Sequence, residues 1–174
     1  VDREYREVKP VRLTVDTPDK ENAIFRARLD FPLRDDDPDA PALLIANEIF
    51  GGGSGLSNRL MVRLRQKDGL SYGVGSGISL GSRERYSMFT IGGLSAPQNV
   101  NRAEQAVREE MERALKEGFT AAEVEDAKKG LLQARTLNRS QDPIVAGAWI
   151  SNLDLGRTFA FSKQFEDRLR AVTP

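Results

Sequence analysis

The chain has 174 residues, 39% hydrophobic and 30% charged, with 26 Lys+Arg matched by 26 Asp+Glu and with no His and no Cys. That length and balance describe one folded domain able to bury a core, with no electrostatic case for nucleic acid or an anionic membrane as partner. Without imidazole or thiolate there is no His/Cys metal site, no Ser-His or Cys-His nucleophile and no histidine acid/base, so most hydrolase mechanisms are closed to this chain acting alone.

No apolar run approaches about 18 residues, so no membrane-spanning segment is expected. Val11 to Val15 alternates and reads as a short strand, followed by a turn at Pro18-Asp19-Lys20. From Ala23 to Phe31 the alternation is cleaner. Phe25, Ala27, Leu29 and Phe31 point one way and Arg26, Arg28 and Asp30 the other, which predicts a strand with one buried face. The acidic run Arg34 to Asp39 lacks the ligand spacing, central Gly and closing Glu of a calcium loop, and reads as a solvated turn ending in an N-cap Asp.

Ala42 to Phe50 predicts a largely buried helix stopped at Gly51. The glycines at 51, 52, 53 and 55 then allow unusual backbone or close approach. A second helix, from about Ser54 to Lys67, carries Leu56, Leu60 and Leu64 on one stripe with Arg59, Arg63 and Lys67 beside it. Arg65 falls outside that stripe and is free to reach something other than the core.

After Gly69, Tyr72, Val74, Ser76, Ile78 and Leu80 alternate with Ser71, Gly73, Gly75, Gly77 and Ser79. A strand face of only Gly and Ser marks a close backbone approach. Tyr86 to Leu94 returns as the second strand of a hairpin. Val100, Ala103, Ala106, Val107, Met111, Ala114 and Leu115 recur at helical spacing up to Gly118, and Thr120-Ala121-Ala122-Glu123 is a capping box for the next helix, with Val124, Ala127, Leu131 and Leu132 inward. Asp142 to Leu155 and Thr158 to Ala171 complete the helical part. Glu109, Glu110, Glu112, Glu117, Glu123, Glu125 and Asp126 read as a solvated polar face, and Trp149 as a core anchor.

Together these elements predict an α+β fold, a largely antiparallel mixed sheet with helices packed on one face. Residues 1–174 form a single domain in this reading. Val172-Thr173-Pro174 has the chemistry of a helix start, so the chain is expected to be a fragment of a longer one, truncated at a C-terminal helix, with an edge strand in the lost piece.

The glycine turn before a helix first suggests phosphate binding, but a P-loop needs Gly-Lys-Ser/Thr, and a dinucleotide fingerprint follows a strand, whereas these glycines follow a helix. Arg65, Tyr72 and the glycine turn remain. A guanidinium and a phenol suit carbonyl or carboxylate recognition, although spacing alone favours a surface arginine and a half-buried strand tyrosine.

Pro18-Asp19-Lys20, Leu43 to Phe50, GGGSGLSNRL from Gly51 and above all LRQKDGLSYGV from Leu64 resemble the C-terminal, non-zinc domain of the pitrilysin/insulinase family of inverted-zinc metallopeptidases, which includes mitochondrial processing peptidase. The distinctive pattern is an Arg and a Tyr with Gly-Leu between them, here Arg65, Gly69, Leu70 and Tyr72. The resemblance implies a homologous zinc-binding domain carrying H-x-x-E-H as partner, closing over a peptide substrate, with zinc in the partner and no cofactor in this chain. It further implies that Tyr72 hydrogen-bonds the substrate carbonyl near that zinc and helps stabilise the oxyanion. Arg65 would hold an adjacent backbone carbonyl, and Gly51, Gly52 and Gly53 would lie along the substrate path. The alternative is a scaffold or assembly domain of the same fold without peptidase work. Tyr72 alternates with Val74 and Ile78, so its hydroxyl has to emerge from a core-facing register at the start of the strand.

Overall fold

A computed structural model describes residues 5–53 and 57–174. Its elements are β1 (Ala23–Phe31), α1 (Ala40–Phe50), a π-helical run (Met61–Lys67), β2 (Gly73–Ser79), β3 (Ser87–Ser95), α2 (Val100–Glu117), α3 (Ala121–Asn138), α4 (Asp142–Asp154) and α5 (Phe159–Ala171). The three strands form an antiparallel sheet in the order β1-β3-β2, and the fold is α+β. Among the described residues no helix is long and apolar enough to cross a membrane.

Register explains the two faces of the sheet. Phe25 and Val74 flank Gly93, Ala27 and Ser76 flank Ile91, and Leu29 and Ile78 flank Phe89. That face meets Phe50, Leu60, Leu64, Ala103, Ala106 and Val107 in the first core cluster. The opposite face carries Gly73, Gly75, Gly77, Thr90 and Gly92, with Ile24 and Leu94 exposed on it. A second cluster joins Ile45 and Ile49 of α1 to Val124 and Ala127 of α3 and to Phe165 and Leu169 of α5. Phe119, in the α2–α3 connection, packs against both clusters.

Several expectations need correction. Val11 to Val15 forms no strand; Val11, Leu13 and Val15 are exposed and pair with nothing in the sheet, because alternation supplies no partner edge. The buried face of β1 is only partial, since Phe25 and Phe31 are half-buried but Ala27 and Leu29 are exposed at a sheet edge. The second helix begins at Arg59, and its expected residues Ser54 and Leu56 lie outside the described residues. Glu110 is 2% exposed, bonded to Arg113, and is no part of a solvated face. Leu115, despite its helical spacing, is exposed. Trp149 is not a core anchor: it is 59% exposed, edge-on to Phe159, on a helix with no buried residue.

Other local signals act as read. Thr120 and Glu123 make both bonds of the capping box. The acidic turn ends at Asp39, the N-cap position of α1, where the Asp37 carboxylate, not the Asp39 side chain, accepts the Asp39 N–H.

Candidate functional site

The glycine turn closes α1. Gly51 and Gly52 N–H both donate to Asn47 O, at 3.0 and 2.6 Å. Gly51 O then accepts from Ser76 N on the outer edge of β2 at 2.8 Å, and Ser76 Oγ bonds Asn47 Oδ1 at 2.9 Å. This docking is why position 51 is glycine: a Cβ there would lie 2.7 Å from Leu60 Cδ1 and from Ser76 Oγ, and 2.8 Å from Ser76 N. Gly51 and Gly52 are buried, whereas Gly53 is exposed with φ +69°. The close approach expected of the Gly/Ser strand is visible here too, since a Cβ on Gly75 would sit 3.1 Å from Gly51 O.

Asn58 links that turn to the next helix. Its Nδ2 donates to Gly52 O at 3.1 Å and its Oδ1 accepts from Met61 N at 2.9 Å, the N-cap geometry. The helix widens into a π-helical run, with Asp68 N–H reaching back five residues to Arg63 O at 3.0 Å. Such runs are rare and recur at functional sites.

The connection from this run to β2 is tightly tied. Leu64 O accepts from Leu70 N at 2.8 Å and from Ser71 N at 3.3 Å. Gly69 takes φ +61° with nothing near its missing Cβ, so glycine is required there by conformation. Buried Ser71 donates to Leu94 O, and buried Ser95 donates to Leu70 O at 2.6 Å. Tyr72 N donates to Leu94 O at 2.9 Å, one residue before β2 begins. The backbone of this connection is therefore fixed on both sides.

Arg65 and Tyr72 leave the two ends of that connection. Both are exposed, Tyr72 at 62%, so the core-facing register does not bury it. Among the described residues neither side chain makes a hydrogen bond or ion pair. The other arginines of the helix behave differently. Arg63 bonds Asp68 at 2.6 Å and Glu109 of α2 at 2.9 Å. Arg59 bonds Glu123 through Nε at 2.7 Å and Nη2 at 2.8 Å, and stacks over Phe119. Held by Arg59 and by Thr120, the Glu123 carboxyl is pulled down to about 2. Sequence reasoning placed Arg59 and Arg63 only beside a leucine stripe. Their partners on α3 and α2 sit 64 and 46 residues away, where no local signal finds them.

The residues here do not fit a zinc site. The chain has no His or Cys, and among the described residues no three carboxylates converge. Fold and site together define an α+β domain that offers exposed hydrogen-bond donors. The chain belongs to the peptidase M16 inactive domain family, whose model matches residues 1–131.

Solved structures agree with the fold. The peptidase M16 inactive domain structure from Pseudomonas fluorescens is similar at TM-score 0.72 and 26% identity, over 87% of this chain and 35% of that one. A protease from Helicobacter pylori aligns at TM-score 0.77 and 18% identity, over 91% of this chain and 37% of that one. The periplasmic protease PqqL from Escherichia coli aligns at TM-score 0.70 and 16% identity, over 89% of this chain and 17% of that one. This chain therefore spans 35% and 37% of the first two, about a third. No curated protein matches the sequence.

Proposed function

We propose that this domain forms the non-zinc wall of a peptidase site, where Arg65 and Tyr72 donate hydrogen bonds to backbone carbonyls of a peptide held against a zinc-bearing homologous domain. The observation that carries the reading is a pair of exposed donors without partners among the described residues, set at the ends of one rigid connection. An exposed side chain on a fixed backbone is preorganised for a ligand, because little is lost on binding. The phenol is the oxyanion-side donor and the guanidinium clamps the neighbouring carbonyl. Of the glycines, exposed Gly53 borders the peptide, while Gly51 docks the turn on β2 and Gly52 packs it against the end of α1.

The test is kinetic and uses the domain assembled with its zinc-bearing partner. Tyr72→Phe and Arg65→Ala are each expected to lower kcat/KM for peptides by roughly ten- to a thousand-fold. Unchanged kinetics in both variants would overturn the reading and leave a scaffold or assembly role. The chain by itself is expected to hydrolyse no peptide and to take up no stoichiometric zinc; one zinc per chain by elemental analysis would contradict this.

A further inference from the structure

We infer that Arg59, acting through Glu123, is a positioning residue that holds the π-helical run so that Arg65 meets the peptide; this rests on the function proposed above. Arg65 has no partner of its own among the described residues, so its place is set wholly by the helix that carries it. That helix is itself weakly determined, since its i→i+5 bonding is the rarer geometry. Something outside the helix must fix it.

Arg59 is built for that task. It occupies the first turn of the helix, with a side chain only 12% exposed. Its guanidinium forks onto both oxygens of Glu123, and Nη2 also donates to Gly118 O at 3.1 Å. The ring beneath it, Phe119, packs against both core clusters. Glu123 is no loose counter-ion. Its Oε2 also accepts from Thr120 N at 2.8 Å and Thr120 Oγ1 at 2.9 Å, so the start of α3 holds the carboxylate while the carboxylate holds Arg59. The Nη1 atom of Arg59 is buried with no hydrogen-bond partner, so the fork, the bond to Gly118 O and the stacking retain the side chain. Arg63 adds a second tie to α2 on the same side of the helix, while Arg65, two positions on, projects from roughly the opposite side.

A lysine at 59 keeps the charge but cannot fork onto a carboxylate or stack in the same way. The experiment is a double-mutant cycle in the domain assembled with its zinc-bearing partner, using Arg59→Lys, Glu123→Gln and Arg65→Ala. Arg59→Lys and Glu123→Gln are each expected to lower kcat/KM about tenfold, and to add less than about twofold once Arg65 is already Ala. Amide exchange should rise more over residues 61–71 than in β1 and β3 in both variants. Equal effects of Arg59→Lys with and without Arg65, or no effect with Arg65 present, would overturn the inference while leaving the peptide-binding reading standing. If Arg65→Ala is itself silent, the inference falls, and the peptide-binding reading falls with it only if Tyr72→Phe is silent too. Should Arg59→Lys fail to fold, Glu123→Gln carries the cycle, since Gln still accepts from Thr120.

Discussion

At the scale of single residues, the three arginines of one short helix divide their work by what surrounds them. Arg59 and Arg63 are spent on carboxylates of α2 and α3, whereas Arg65 and Tyr72 reach solvent. Stability and function should therefore separate by position. Tyr72→Phe and Arg65→Ala change exposed groups and are expected to shift folding stability by no more than about 0.5 kcal/mol, read as a denaturation midpoint. Glu123→Gln strands a mostly buried guanidinium, and is expected to cost about 1–3 kcal/mol at neutral pH. That cost has a pH signature. Arg59 and Thr120 hold the Glu123 carboxyl at about 2, below its ordinary 4.5, so the folded state favours the ionised form. The stabilisation is complete above the unfolded value and is lost as pH falls from about 4.5 towards 2. The gap in melting temperature between wild type and Glu123→Gln should close over that window; a gap that stays constant would show that the ion pair contributes nothing.

At the scale of elements, the glycines sort by physical cause, and substitution tells the causes apart. Gly51→Ala drives a methyl into Leu60 and the backbone of Ser76, and is expected to cost about 1–3 kcal/mol in a urea midpoint. Gly69 faces open space, so its cost is conformational. There Ala should cost about 1–2 kcal/mol and Asn less, because Asn tolerates the left-handed region. Equal cost for Ala and Asn would point to a packing cause at 69. The same distinction shows what the sequence could reveal. The bounds of α2 and the start of α3 were legible because helical spacing, Gly118 and the Thr120–Glu123 box are local. The spacing of Arg65 and Tyr72 and the exposure of Arg65 were legible too, but the exposure of Tyr72 was not, since alternation put it in register with Val74 and only the late start of β2 frees it. The Arg59 fork onto Glu123 was invisible for a different reason: it depends on where α3 docks.

At the scale of the molecule, burial is decided by what packs against an element, and α4 shows it. Its segment Ile144 to Ile150 is apolar enough to read as core, yet none of the helix is buried. The elements that would cover it lie elsewhere, since α1, α3 and α5 close the second cluster without it. Its end is instead held by charge. Arg157 forks onto Asp35 at 2.7 and 2.9 Å and stacks over Phe161, and Arg83 pairs with Asp154. Exposed pairs such as Arg83 with Asp154 contribute at most about 1 kcal/mol, so α4 should open at lower free energy than α2, whose inner face enters the first cluster. Two measurements on the 174-residue chain check this. Amides of α4 should exchange well before those of α2. Trp149, the one tryptophan, should emit at long wavelength and be quenched freely by iodide, because it is 59% exposed and its ring meets the edge of Phe159. Slow exchange in α4 with a blue-shifted, shielded Trp149 would mean that this apolar face is covered in solution, and that charge is not what holds the helix.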